Sequence, residues 1–315
     1  RGARRGEARP AAKCPVCHGL TGPGEPPGCG CGAASVEAEA PRLLAGKYRL
    51  TRRLGRGGMG VVYLARDLQL ERDLAVKTLT GMSVERLMGL KPEAWAMATV
   101  THQAVAQIHG VESWRGRPFL VVEYMAGGTV ADRLARGPLP AAHAVSVAAV
   151  LADALAALHE TGYLHGDVKP SNVGLTADGS PKLLDFGLAR TAHDDGARGG
   201  TLRYLSPEAL SDRAAEEADD VWSLCVVLYE MASGEHPFGG GGAAEVAGNI
   251  RRRRLGPAVR PPAGAASPRA EVVAFAASLL TAPRPARPAT AREFADALRR
   301  VLPATVAPGA PRERA

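Results

Sequence analysis

Leu164-His165-Gly166-Asp167-Val168-Lys169-Pro170-Ser171-Asn172, followed by Leu184-Asp185-Phe186-Gly187, is the stretch on which the reading of this 315-residue chain turns. Either segment alone could arise by chance, so its weight depends on what surrounds it. Upstream, Leu54-Gly55-Arg56-Gly57-Gly58-Met59-Gly60-Val61-Val62 contains a G-x-G-x-x-G pattern. A dinucleotide-binding turn would need a helix directly after the glycines, whereas Val61-Val62-Tyr63-Leu64 is a β-prone run. The pattern fits a glycine hairpin lying over phosphates, its backbone N–H groups free to approach the oxygens. An ordinary glycine-rich β-turn is the alternative. Seventeen residues after Gly60, Ala75-Val76-Lys77 lies in an apolar strand. Such a lysine commonly snorkels to an edge, but its strand-loop-strand relation to the glycines places it within reach of α- and β-phosphates. A carboxylate has to hold it there. Glu93, beside Pro92 in what would be the first turn of a helix, is the choice, and Glu85 competes with it.

Taken in order and at these spacings, the four segments resemble the motif set of the protein kinases. The resemblance runs from about Tyr48 to Leu302. It implies an α+β, two-lobed fold with a small β-rich N-lobe and a larger helical C-lobe. It also implies a division of labour among the residues. Asp167 would accept or orient the proton of a substrate hydroxyl, and Lys169 would neutralise charge on the γ-phosphate. Asn172 and Asp185 would hold Mg²⁺, or Mn²⁺ in its place, beside ATP. His165 would pack within the loop. A lysine at position 169 is similar to Ser/Thr rather than tyrosine kinases, so the implied partners are ATP and a protein bearing Ser or Thr. Val121-Val122-Glu123-Tyr124-Met125 resembles the segment whose backbone receives adenine, with Leu54, Val62, Ala75 and Met125 as apolar walls. Thr201, Glu208, Asp220 and Arg287 match further family positions. Asp220 would tie down the catalytic-loop backbone and Arg287 would bridge Glu208; the alternative is plain surface charge.

Some positions depart from the family. Gly166 stands where many kinases carry an arginine that pairs with an activation-segment phosphate. The expectation is therefore activity that does not depend on phosphorylation of that segment. Gly174 replaces an apolar residue under the adenine, Ser206 an alanine, and Cys225 a glycine. Cys225 is expected to be an inert buried thiol.

The composition, 46% hydrophobic and 23% charged, is that of a globular chain. No run of about 18 apolar residues is evident, so no membrane span is expected, and Val145–Leu158 reads as a buried helix. The formal net charge is +7, with Arg251–Arg254 as its densest run; a solvated face and an acidic partner both fit. Four of the five cysteines fall within 18 residues, which points to metal rather than a disulfide framework, and to a reducing compartment. Cys14-Pro15-Val16-Cys17-His18-Gly19 resembles a zinc knuckle that Cys29 and Cys31 would complete as a closed, structural Cys₄ site, with His18 able to replace one thiolate.

The expected organisation is a flexible basic N-terminus over 1–12, a zinc-binding element over 13–32 and a linker over 33–46. A kinase domain follows over 47–302 (N-lobe 47–124, C-lobe 126–302), then a flexible tail over 303–315. Strands are expected at Arg49–Leu54, Val61–Arg66, Asp73–Leu79, Ala106–Glu112 and Phe119–Tyr124, and helices at Ala141–Thr161, Ala218–Ser233, Arg269–Thr281 and Thr290–Leu302. Three functions compete: a Ser/Thr protein kinase, an ATP-binding scaffold without turnover, and a zinc-dependent regulator that binds nucleic acid or protein. Likeness to bacterial relatives of eukaryotic Ser/Thr kinases implies a cytoplasmic location.

Overall fold

The computed structural model describes residues 10–22, 31, 34–57, 60–79, 81, 101–184, 202–211, 213–256 and 267–301. The chain divides into two compact units, Arg1–Ala98 with Ala106–Met125, and Thr99–Val105 with Ala126–Ala315.

The first unit is built on two sheets. Strands β4 (Leu43–Leu44), β5 (Tyr48–Gly57), β6 (Gly60–Asp67), β7 (Asp73–Thr78), β8 (Ile108–Trp114) and β9 (Arg117–Glu123) form a six-stranded sheet in the order β4-β5-β6-β7-β9-β8. The pairing is antiparallel throughout, with Val62 opposite Lys77 and Ala75 opposite Val122. Successive side chains alternate between faces and cross-strand partners share one, so Val62, Ala75, Lys77 and Val122 line one face. The other face carries Val61, Tyr63, Leu74, Val76 and Val121, all buried.

A second sheet, β1 (Pro10–Lys13), β2 (Leu20–Thr21) and β3 (Val36–Pro41), has the order β2-β1-β3. Its Ala11, Leu20, Ala38 and Ala40 join the buried face of the larger sheet in one apolar core. This corrects the expected boundaries. Strand β1 begins inside the span 1–12 expected to be flexible, and the span 33–46 expected as a linker contains β3 and β4. Alanine, glutamate and proline are poor strand formers, and these strands form because the larger sheet offers them a face to cover.

In the second unit, helix α1 (Val130–Leu134) starts at a reciprocal capping box between Thr129 and Asp132. Helix α2 (Ala141–His159) is rich in alanine and leucine, strong helix formers. By length and composition α2 is the one helix among the described residues that could cross a bilayer, although Ser146 and Asp153 interrupt its apolar run. More than half of it is buried in the core of this unit, against α3 (Glu217–Ser233) and α6 (Ala291–Val301). Helices α4 (Ala243–Arg251) and α5 (Pro268–Thr281) also lie in this unit, α5 entering on a Ser267 cap and Pro268. Helix α4 was not anticipated in its Gly/Ala/Arg surroundings, and the run Arg251–Arg254 leads out of its C-terminal end, with Arg251, Arg252 and Arg254 exposed. Short strands β10 (Val173–Leu175) and β11 (Pro181–Leu183) pair beside the central loop.

The other expected strands and helices appear within about two residues of their predicted ends, except that β5 runs past Leu54 to Gly57. Residues 99–105, expected in the N-lobe, belong instead with the second unit. The backbone explains this: Leu183 N–H donates to the Ala104 carbonyl at 2.8 Å, and Val105 bridges Leu183. Leu155 is fully buried on α2. Leu155→Ala is expected to destabilise the second unit by about 3 kcal/mol, within the range for leucine truncation in a packed core, read as the loss in a denaturant unfolding curve.

Candidate active site

The loop quoted at the outset is shaped by one buried carboxylate. Asp220, in the first turn of α3, is 2% exposed. Its Oδ2 accepts from the His165 backbone N–H at 2.8 Å and from His159 Nε2 at 2.9 Å, and its Oδ1 accepts from the Gly166 N–H at 2.8 Å. Burial pushes the Asp220 carboxyl up, but the His159 hydrogen bond, the neighbouring imidazoles and the Gly166 N–H outweigh it and hold it below the usual carboxylate range. The folded value lies under the unfolded one. The grip is therefore complete above about pH 4 and is released only as acid carries the pH down through the depressed value.

Gly166 has φ +70°, the left-handed region that glycine enters without cost. The turn that offers two successive N–H groups to Asp220 thus supplies a local reason for glycine at this position. His165 Nε2 donates to the Leu184 carbonyl at 3.0 Å, and its Nδ1 accepts from the Asp167 N–H at 3.3 Å. That pattern selects the Nε2–H tautomer and fastens the loop to the start of the 184–187 segment.

On this support the polar side chains converge. Lys169 Nζ lies 2.6 Å from Asp167 Oδ2. Asn172 Nδ2 donates to the same oxygen at 2.8 Å and to the Asp167 carbonyl at 2.9 Å. Asn172 is 4% exposed and sits on a short 3₁₀ turn, Pro170–Asn172. The structure therefore brings Asp167, Lys169 and Asn172 together, while Asp185 and Thr201 lie outside the described residues.

Two family positions far apart in sequence also meet. Arg287 pairs with Glu208, and its guanidinium lies 4.8 Å over the Trp222 ring. Burial pushes Glu208 up, and the Arg287 hydrogen bond and charge more than reverse this, holding its carboxyl below the ordinary range. Ser206, in place of alanine, is buried and has its own work: its hydroxyl donates to Asp219 Oδ1 at 2.5 Å and accepts the Ala209 N–H at 2.8 Å. Gly174 is buried in β10 opposite Lys182. Burial raises the Cys225 thiol far above its ordinary value, as expected of an inert sulfur.

In the first unit, Gly55 and Gly57 lie on β5 opposite Val62 and Gly60. Leu54 sits where the β5–β6 register shifts, and Met125 is buried. Glu123, at the end of β9, donates its backbone N–H to the Gln107 carbonyl at 2.9 Å, and its Oε2 accepts from the Gln107 N–H at 3.2 Å. Lys77 is 6% exposed beside Val62 and Leu120. Its candidate partners Glu93 and Glu85 lie outside the described residues.

The cysteine element belongs to the same unit. Cys14, Cys17 and Cys31 place their sulfurs within 4.8 Å of one another. Thiolates on one tetrahedral zinc sit about 3.8 Å apart at a Zn–S length of about 2.3 Å, so the three fit a common ion after small adjustment. Cys29 lies outside the described residues. The knuckle is closed by Cys14 N–H donating to the Gly19 carbonyl and His18 N–H donating to the Cys14 carbonyl, both 3.0 Å. His18, weighed as a substitute ligand, faces elsewhere: Arg53 Nη2 lies 2.9 Å from its Nε2.

The family model described as "Protein kinase domain" matches residues 48–298. The chain belongs to the protein kinase family. Among its relatives, serine/threonine-protein kinase PknB of Mycobacterium tuberculosis is 36% identical over 236 residues, which is 70% of this chain and 38% of that protein. CBL-interacting protein kinase 4 of Oryza sativa subsp. japonica is 40% identical over 224 residues, 67% of this chain and 49% of that protein. Serine/threonine-protein kinase PknL of M. tuberculosis is 35% identical over 214 residues, 65% and 54% respectively. This kinase thus spans well under two thirds of the length of these relatives.

Sequence reasoning missed how differently the glycines of the hairpin are constrained. A Cβ on Gly60, at φ +140°, would lie 1.9 Å from the Thr78 carbonyl oxygen, because the hairpin closes onto β7 there and Val61 N–H donates to Thr78 Oγ1 at 2.8 Å. A Cβ on Gly57 would meet nothing within 4 Å. Gly60→Ala is therefore expected to cost at least about 2 kcal/mol of stability through forced strain. Gly57→Ala should stay within about 0.5 kcal/mol and weaken ATP binding alone. Thermal melts paired with ATP titrations check both.

Proposed function

We propose that this kinase transfers the γ-phosphoryl group of ATP to Ser or Thr hydroxyls of protein substrates. The observation that carries the reading is the hydrogen-bonded cluster Asp167–Lys169–Asn172 on a loop anchored by Asp220. Phosphoryl transfer is chiefly a matter of positioning and charge, and such a cluster supplies both. Asp167 orients the incoming hydroxyl and takes its proton. Lys169, held against Asp167, offers its charge to the γ-phosphate.

Asn172 donates its amide hydrogens to Asp167, so its Oδ1 is the atom left to face a cation, with Asp185 as the second oxygen ligand. Mg²⁺ bound with the nucleotide supplies neutralisation of the phosphate charge. Lys77, with Glu93, serves the α- and β-phosphates, the glycine hairpin covers them, and Leu54, Val62, Ala75, Glu123 and Met125 receive the adenine. Lysine at position 169 and the names of the relatives favour Ser/Thr over Tyr as acceptor. Gly166 offers no guanidinium to an activation-segment phosphate, which supports activity without that modification.

We further propose that Cys14, Cys17, Cys31 and Cys29 hold a structural zinc ion, since their thiolates close a four-ligand set and leave no open position. Thiolate ligands suit a reducing compartment such as the cytoplasm.

Labelled ATP with Mg²⁺ and a generic basic protein tests the reading. The native chain should label it, while Asp167→Asn and Lys77→Met should each lose at least about 100-fold in rate; phosphatase-treated protein should keep its rate. Equal labelling by all three proteins would expose a contaminant. ATP binding without any labelling would mean a scaffold.

A further inference from the structure

The knuckle does more than gather sulfurs. Residues 18 and 19 form a short antiparallel contact with β5: Gly19 bridges Arg52, and the Arg53 N–H donates to the His18 carbonyl at 3.0 Å. The Arg53 guanidinium then returns to the His18 ring, 2.9 Å from Nε2 and 3.2 Å from Nδ1. Arginine can only donate and a neutral imidazole has one acceptor nitrogen, so one of the two contacts is a hydrogen bond and the other a close approach. His18 has φ +59°, the left-handed region that histidine, like asparagine and aspartate, enters more readily than other side-chain-bearing residues, and it occurs here between Cys17 and a strand. A second tie lies further along, where Arg56 pairs with Glu39 of β3 at 2.9 Å.

These contacts fall at a sensitive place. Between Arg53 and Gly55 the β5–β6 register shifts, leaving Leu54 as the extra residue immediately before the glycine hairpin. Bulges redirect the strand that carries them. A clamp at Arg53 therefore bears on the direction in which β5 carries Gly55 and Gly57 toward the hairpin turn.

We propose that His18 is a positioning residue for nucleotide binding: it joins the metal-held knuckle to β5, so that metal occupancy sets the pose of the glycine hairpin. The inference rests on the kinase and zinc readings above. An element of this size does not hold its turn without the ion, and without the turn His18 no longer meets Arg53.

The test uses the full chain loaded with zinc, the metal-stripped chain, and His18→Asn, which tolerates the left-handed backbone but cannot present an imidazole. Zinc content, ATP dissociation constant, kcat and melting temperature are measured for each. Zinc-loaded wild type should hold one zinc per chain. His18→Asn should also hold one, keep its melting temperature and saturating kcat, and bind ATP about fivefold more weakly, the loss expected of one hydrogen bond. Stripping zinc should weaken ATP binding at least as much, and zinc restored should reverse it. An unchanged ATP affinity in His18→Asn or in the stripped protein overturns the coupling. A melting-temperature drop in His18→Asn without any change in ATP affinity makes His18 merely structural and overturns it too. Absence of zinc from the wild type sinks the metal reading, and absence of ATP binding from the zinc-loaded wild type sinks the kinase reading.

Discussion

A carboxylate buried to 98% is the constraint on which the second unit depends. Asp220 is held ionised by a histidine and two backbone N–H groups, and in return it dictates where residues 165 and 166 run. A buried charge is costly unless fully hydrogen-bonded, so the loop cannot drift without stranding it. Position 166 must then adopt the left-handed backbone seen there, and His165 must reach Leu184. Asp167, Lys169 and Asn172 inherit their places from these bonds. The geometry is thus borrowed from the interior: α3 fixes an anion, the anion fixes a backbone, and the backbone brings the polar side chains together.

The first unit works by a different economy, the separation of two faces. One face of the six-stranded sheet carries Val62, Ala75 and Lys77, the residues suited to a nucleotide. The opposite face is covered by the small sheet of the cysteine element, and both sheets share one apolar core. The cysteine element is therefore part of the wall behind Val62, Ala75 and Lys77 rather than a module on a tether. Its Arg56–Glu39 pair is exposed and weak; the shared core, the backbone rung at Arg52–Arg53 and the part-buried Arg53–His18 contact carry the attachment.

How much of this could be read in advance follows from the physics of each part. The loop around Asp167 was legible through the resemblance of the four segments, in order and at their spacings, to the protein-kinase motif set, since either segment alone could arise by chance. Strands β5, β6 and β7 were legible through their alternation, and α2, α3, α5 and α6 through apolar periodicity. The expectations for Asp220 and Glu208–Arg287 came from resemblance, since partners 54 to 79 residues apart leave no local signal. Strands β1 and β3 were missed because Pro10–Lys13 and Val36–Pro41 have little intrinsic strand preference, and only the covered face of the larger sheet makes them strands. Helix α4 was hidden among glycines and arginines. The special constraint on Gly60 depends on how closely Thr78 approaches, a tertiary fact. Arg53 gave no sign of its role, because a surface arginine looks the same whether or not a histidine waits opposite.

The central claim is that Asp220 holds the 165–172 loop in working order, and hydrogen exchange on Asp220→Ala measures it most directly. The account predicts that amides of residues 165 and 166 lose protection while those in the middle of α3 keep theirs, with kcat falling at least about 100-fold, as expected when reacting groups shift by about an ångström. Unchanged protection at those two amides together with an unchanged kcat would contradict it.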